Sequence, residues 1–183
     1  NDSEAGKAAL PKLDKIGNHA SDTTELAFED VRVPASYLLG QENMGFRYIM
    51  MNFQGERLAA AIMAVKAADM AINDALEYGK ERKAFGKPLI KFQTWRHTFA
   101  ELQSKVEAAR WLTYRACDLF NRGEDAVIPI SMAKLYAGEL TFEVHDRALQ
   151  FHGGYGYMDE FDISRAWRDV RLLTIGGGTS EVM

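Results

Sequence analysis

Cysteine is nearly missing: the chain of 183 residues has a single one, Cys117. That excludes an internal disulfide framework and a multi-cysteine zinc site, and it suits a reducing compartment. His19, His97, His145 and His152 show no His-Glu-x-x-His spacing or similar ligand pair. They read as structural or surface groups, and no metal is expected. A long basic block is also missing, and the formal charge is -4. Phosphate recognition along a nucleic acid rests on clustered Lys and Arg, so the expected partner is a small molecule or a protein. No stretch reaches the roughly 18 apolar residues of a spanning helix. No signal peptide is visible at the start, and a soluble chain with no membrane partner is expected. Internal repeats and low-complexity tracts are absent from the sequence.

What is present is a hydrophobic share of 47%, which is globular rather than disordered. The length is enough to bury a proper core. The chain is organised around Met44 to Lys91, which reads as a long helical run. Its apolar residues Leu58, Ile62, Val65, Ile72 and Leu76 recur at helical spacing and mark the expected core face. Alanines at 59, 60, 61, 64, 67, 68, 71 and 75 favour helix and allow close approach. Gly86 and Pro88 are the expected stop, and Asn43 the expected cap.

Residues 1 to 21 are polar and loop-like, with Pro11 and Gly17 as breakers. From Thr24 to Val33 an apolar/polar alternation predicts a strand or a pair of short strands. A second helix is expected from Phe92 to Asn121, ending at Gly123, and a third from Pro129 to Phe151, ending at Gly153-Gly154. A fourth, shorter helix fits the arginine- and aromatic-rich stretch after Gly154. Short connections between long helices make an antiparallel bundle the natural packing. Both ends read as interrupted: the chain opens without Met, and Thr179 to Met183 resembles the first turn of another helix.

Four features carry chemical content. Glu101 and Glu107 have cations at helical spacing, Lys105 and Arg110, whereas the neighbours of Glu56 are Asn52, Phe53, Ala59 and Ala60. If that face is covered, poor solvation raises the Glu56 carboxyl towards the range of a general base. The alternative is an exposed Glu beside Arg57. Between Lys80 and Lys91, five cations face the single anion Glu81. Such a turn can hold a phosphate, although cations at a helix C-terminus are favoured by the dipole in any case. Gly176-Gly177-Gly178-Thr179-Ser180 is either a flexible turn or a set of free N–H groups for an anion, a carbonyl or a flavin edge. Gln150 to Gly156 forms a glycine corner that follows a helix, so it is a C-cap or a contact surface and not a Rossmann fingerprint.

In this order, the segments Phe28-Glu29-Asp30-Val31-Arg32-Val33-Pro34, Leu38-Leu39-Gly40, Gly45-Phe46, Glu56-Arg57, Glu81 to Pro88, Ala108-Ala109-Arg110, Ala133-Lys134, Gln150 to Tyr157, Arg168-Asp169 and Gly178 to Glu181 resemble the acyl-CoA dehydrogenase family over essentially the whole chain. The resemblance implies a mainly α fold. Residues 1–40 would be the end of a middle β domain, and 41–183 an antiparallel four-helix bundle with its last helix truncated. It implies an FAD-dependent oxidoreductase of fatty-acid β-oxidation, which takes a proton from C2 and a hydride from C3 of an acyl-CoA to give a trans-2-enoyl-CoA. Relatives with oxidase or monooxygenase chemistry, or a non-catalytic assembly module, are the alternatives.

Many members place the catalytic Glu in an Ile-Tyr-Glu-Gly-Thr segment, where this chain reads Ile175-Gly176-Gly177-Gly178-Thr179. Long-chain and isovaleryl-type members carry it on the long helix, in a Glu-Arg pair similar to Glu56-Arg57. The resemblance therefore implies Glu56 as base. It implies Arg82, Phe85, Gln93, Gln150, Gly153, Gly154, Thr179 and Glu181 as FAD contacts, and Gln54, Arg57, Gly177 and Gly178 as borders of the acyl-CoA, with the Gly177 N–H on the thioester carbonyl. It also implies that the basic turn and the glycine corner meet one flavin from two subunits of a homodimer or homotetramer. Reoxidation would come from an electron-transfer flavoprotein, in the bacterial cytoplasm or the mitochondrial matrix.

Overall fold

Helix α1, Gly45–Glu81, is the spine of the chain, and the computed structural model describes residues 12–183 around it. Among its buried positions, Leu58, Ala61, Val65, Ala68, Ile72, Ala75 and Gly79 alternate steps of three and four, with Arg57, Ala64 and Ala71 beside them. That is the heptad spacing of a helix packed on near-parallel neighbours. The core face is therefore centred on alanines, and Ile62, expected inside, lies one residue off the stripe and is 48% exposed. Small side chains on the stripe let the neighbouring helices come close, which is why bulky spacing alone misplaced the face.

The N-terminus of α1 also departs from expectation. Met44 is the capping residue and makes no side-chain cap bond, while Asn43 takes a left-handed φ of 64°. At the other end α1 stops at Glu81, earlier than the Gly86-Pro88 stop. Arg82 leaves in an extended conformation, its N–H still donating to Tyr78 O at 2.9 Å. The cause is a tight hairpin: β1, Lys83–Ala84, pairs antiparallel with β2, Lys87–Pro88, across Phe85 and Gly86, whose φ values are 50° and 80°. Positive φ at both central residues is the two-residue turn that matches strand twist.

Helices α2 (Gln93–Asn121), α3 (Val127–His152) and α4 (Asp162–Val170) follow within a residue or two of the expected bounds where these were given. Short connections between successive helices give an up-down-up-down order, and cross-helix pairs tie the neighbours together. Arg110 of α2 meets Asp69 of α1 at 3.1 Å, Lys105 meets Glu143 of α3 at 2.9 Å, and Trp167 Nε1 of α4 donates to Asp146 Oδ1 at 3.3 Å. The core between them holds Ile72, Leu102, Val106, Ile130, Val144 and Phe151. His145 and His152 belong to it, each with Nδ1 2.7 Å from the carbonyl oxygen four residues earlier. Burial holds His145 below the ordinary histidine range, so it stays neutral at pH 7. His19 and His97 are exposed, and no metal-binding cluster forms among the described residues.

The predicted strand at residues 24–33 does not form; that stretch is coil, with Leu26, Phe28, Val31 and Val33 all at least 60% exposed. Alternation marks a face ready for a sheet, but among the described residues no neighbouring strand offers it a ladder. The polar stretch that opens the sequence lies outside the described residues as far as residue 11. From there the chain lies against the end of α4, where Asn18 N donates to Asp169 Oδ1 at 2.6 Å.

After α4 the chain returns along α3 towards the end of the bundle where α3 begins, reaching Lys134 at Gly178. Gly138 permits this close approach, because a Cβ there would lie 2.8 Å from Leu173 O. Gly138→Ala is expected to cost about 1–3 kcal/mol of stability through overpacking. Urea unfolding would show it as a lower midpoint at unchanged slope.

Candidate functional site

The expected site residues fall into two groups at opposite ends of the bundle. At the first end are Gln54, Glu56 and Arg57 on α1, and Gly177, Gly178, Thr179 and Glu181 on the returning chain. The contact that joins them spans 120 positions of sequence: Arg57 Nε donates to Gly177 O at 2.8 Å. Arg57 is buried, with its guanidinium 5.7 Å from the Phe53 ring centroid. Lys134 of α3 donates to the next carbonyl, Gly178 O. Two cations thus hold consecutive carbonyls of the glycine run.

Glu56 is exposed and accepts a 2.9 Å hydrogen bond at Oε1 from Asn52 Nδ2, one helical turn earlier. The expectation of a partnerless carboxylate in an apolar setting is therefore corrected. Asn52 at i−4 is an uncharged partner, which charge pairing does not reveal, and the apolar neighbours leave the carboxylate uncovered in this chain. Gln54 is half-buried; its Nε2 reaches Met50 O at 3.4 Å, and its Oε1 is a buried acceptor without a partner. Thr179 precedes a single 3-10 turn, Ser180–Val182. Backbone N–H and the Thr179 hydroxyl hold the Glu181 carboxyl below its ordinary value.

At the second end, Arg82, Ala84, Gly153, Gly154 and Tyr155 line a cleft of about 530 Å³ floored by Tyr78, Phe151 and His152. Tyr78 stacks on His152 at 4.2 Å, and Arg82 lies 5.3 Å from the Tyr155 ring centroid. The glycines leave the floor open: a Cβ on Gly153 or Gly154 would meet nothing within 4 Å. Arg82 has no carboxylate partner among the described residues, whereas nearby Lys80 is paired with Glu77. Gln93 begins α2 and Gln150 sits in the last turn of α3, both exposed. The basic turn and the glycine corner therefore line one cleft of a single chain.

Phe85, at the hairpin tip, is 95% exposed at a φ of 50°, with Phe92 at 6.3 Å. A bulky residue in the left-handed region costs about 1–2 kcal/mol, so the sequence retains an exposed aromatic at some cost in stability. Phe85→Asn is expected to raise stability by about 0.5–1 kcal/mol, since Asn tolerates this conformation. The same change is expected to weaken whatever the tip grips, read as ligand retention on gel filtration.

The two ends are well separated. Twenty-four helical steps from Arg57 to Glu81, at 1.5 Å each, put about 36 Å between them. Lys134 is the main residue the sequence did not single out beyond its place in Ala133-Lys134. The available signal was a lysine on the core stripe of α3, between Ile130 and Ala137.

Fold and site together define a four-helix bundle with a cation-held glycine turn at one end and a partly cationic cleft of about 530 Å³ at the other. The family model described as acyl-CoA dehydrogenase, C-terminal domain, matches residues 43–183, and the chain belongs to that family. It is 45% identical over 172 residues to the mitochondrial long-chain specific acyl-CoA dehydrogenase of Sus scrofa, covering 94% of this chain and 40% of that protein. It is 40% identical over 168 residues to a caffeyl-CoA reductase-Etf complex subunit of Acetobacterium woodii, covering 92% of this chain and 44% of that one. The butyryl-CoA dehydrogenase structure from Megasphaera elsdenii superposes with a TM-score of 0.90 at 41% identity, covering 94% of this chain and 45% of that chain. The chain spans under half the length of these relatives.

Proposed function

We propose that the protein to which this chain belongs is an FAD-dependent acyl-CoA dehydrogenase, with Glu56 as the base that takes the C2 proton. The observation that carries this is the Arg57–Gly177 contact. It places the helical turn bearing Glu56 against the glycine run that stands where other family members read Tyr-Glu-Gly. Losing a carboxylate at Gly177 and having one on the adjoining turn of α1 are complementary. The backbone N–H of Gly177 polarises the thioester carbonyl, and Gln54, Arg57 and Gly178 border the acyl-CoA. The space left by absent Tyr and Glu side chains suits branched, bulky or long acyl groups.

The second cleft fits the dinucleotide part of FAD. Arg82 is a cation without a carboxylate partner among the described residues, and Gly153 and Gly154 leave their side of the cleft bare. Arg82, Phe85, Gln93, Gln150, Gly153 and Gly154 would hold the cofactor there, with Thr179 and Glu181 at the other end. When bound, the flavin supplies the hydride acceptor for C3, and the product is a trans-2-enoyl-CoA. Because the two groups are about 36 Å apart along α1, one flavin touches both only if they come from different subunits, which supports at least a homodimer.

A division at residues 40 and 41 belongs with this reading, supported by a family match that begins at 43 and a helix that begins at Gly45. An electron-transfer flavoprotein is the proposed oxidant, supported by the Etf-linked relative. No helix is long and apolar enough to cross a membrane among the described residues. The proposed location is the bacterial cytoplasm or the mitochondrial matrix. The test is anaerobic addition of short, long and branched acyl-CoAs to the full-length flavoprotein. Bleaching of the flavin by one class supports the reading and names the substrate; no bleaching by any of them sinks it.

A further inference from the structure

Lys134 is a buried cation to which the reaction as described gives no role. It is 1% exposed and lies on the core stripe of α3, where an apolar side chain would pack without a solvation penalty. Neither Lys134 nor Arg57 has an ion-pair partner among the described residues. Burial, with the Arg57 guanidinium nearby, holds the Lys134 ammonium below the ordinary lysine value, and Glu181 pulls it weakly the other way. What both cations do make is a bond to backbone: Arg57 to Gly177 O, Lys134 to Gly178 O.

Peptide geometry says what this achieves. In a planar trans peptide the C=O and N–H point in opposite directions. Fixing Gly177 O on Arg57 turns the Gly178 N–H away from Arg57, and fixing Gly178 O on Lys134 turns the Thr179 N–H away from Lys134. Neither N–H meets a backbone acceptor among the described residues. A cation on the carbonyl also polarises each peptide and strengthens its N–H as a donor. The turn itself needs glycine: φ is 70° at Gly177 and 113° at Gly178, and a Cβ on Gly178 would lie 2.7 Å from Met183 Cε.

We propose that Lys134 is a positioning residue: together with Arg57 it clamps the Gly177-Gly178 turn so that the N–H groups of Gly178 and Thr179 are held out as donors to an electron-rich oxygen. Resting on the acyl-CoA reading above, that oxygen is the thioester carbonyl oxygen, whose charge rises as the C2 proton leaves. The clamp adds these donors to the Gly177 N–H. Lys134 acts through the turn and does not touch substrate.

The test uses the full-length, FAD-loaded protein as wild type, Lys134→Met and Lys134→Arg. Two readouts go beyond turnover: the infrared carbonyl stretch of bound acyl-CoA labelled with carbon-13 at the thioester carbonyl, and amide hydrogen exchange of the peptide covering 173–183. Lys134→Met is expected to move the stretch back towards that of free acyl-CoA, to speed exchange in the peptide, and to lower kcat by about 10- to 100-fold with KM within about threefold. Lys134→Arg keeps a cation and a donor and recovers most of the stretch. If Lys134→Met does not fold, Lys134→Gln is read in the same way. A wild-type stretch in the Met variant overturns the proposal, as does equal loss in the Met and Arg variants. Wild-type protein that no acyl-CoA bleaches sinks the dehydrogenase reading, and the donor role with it. A clamp that fails alone shows instead as normal bleaching with an unmoved carbonyl band.

Discussion

Glu56→Gln is expected to slow flavin reduction by acyl-CoA by about 10²- to 10⁴-fold, the usual contribution of a positioned general base. Acyl-CoA affinity is expected to change by less than about threefold, because shape and polarity at the position are retained. Structural side effects should be small. The residue is exposed, and its one hydrogen bond is accepted at Oε1 from Asn52 Nδ2, a bond the amide oxygen of Gln still accepts. Unfolding of the variant should therefore match wild type. If Glu56 is only a surface carboxylate, the reduction rate stays at the wild-type level and the base lies elsewhere. Stopped-flow absorbance under anaerobic conditions separates these outcomes, since it reads reduction apart from product release. An oxidase-type relative would differ in the oxidative half, with rapid reoxidation by oxygen after the same reductive step.

The helices were legible because their signals are local. Apolar spacing and glycine stops place α2 and α3 within one or two residues, and the antiparallel packing follows from short connections. What was not legible depends on contacts between distant segments. Spacing alone puts Ile62 in the core, but the stripe is set by the alanines that α3 can approach closely. The strand at 24–33 has the right alternation and no ladder, since a strand exists only with a neighbour. The helix end at Glu81 was hidden because a two-residue hairpin competes with helix continuation, and Phe85 is an unusual residue for its turn. At the site, Glu56-Arg57 and the glycine run were each visible, yet nothing in either stretch says that they touch. Lys134 was present only as one residue of a short motif. Its meaning comes from a buried ammonium meeting Gly178 O, 44 positions away.

Mixing two inactive variants of the full-length protein, Glu56→Gln and Arg82→Glu, is expected to restore about a quarter of wild-type activity. More than about 36 Å of helix separates the two positions within a chain, so on the proposed reading a flavin gripped at Arg82 by one subunit is served by Glu56 of another. In a mixed dimer one shared site then carries both defects, and the other carries neither. Random assortment makes about half the dimers mixed, each with one intact site of two. Arg82→Glu alone is expected to abolish cofactor retention, because on the proposed reading it puts an anion where the cofactor's phosphates would bind. Glu56→Gln alone keeps its flavin colour and does not bleach. Co-expression with two affinity tags, followed by purification through both, isolates the mixed dimers and raises the expected recovery to about half. If each chain built a complete site by itself, no mixture would exceed the sum of its parts, and the argument for a shared flavin from the length of α1 would fall.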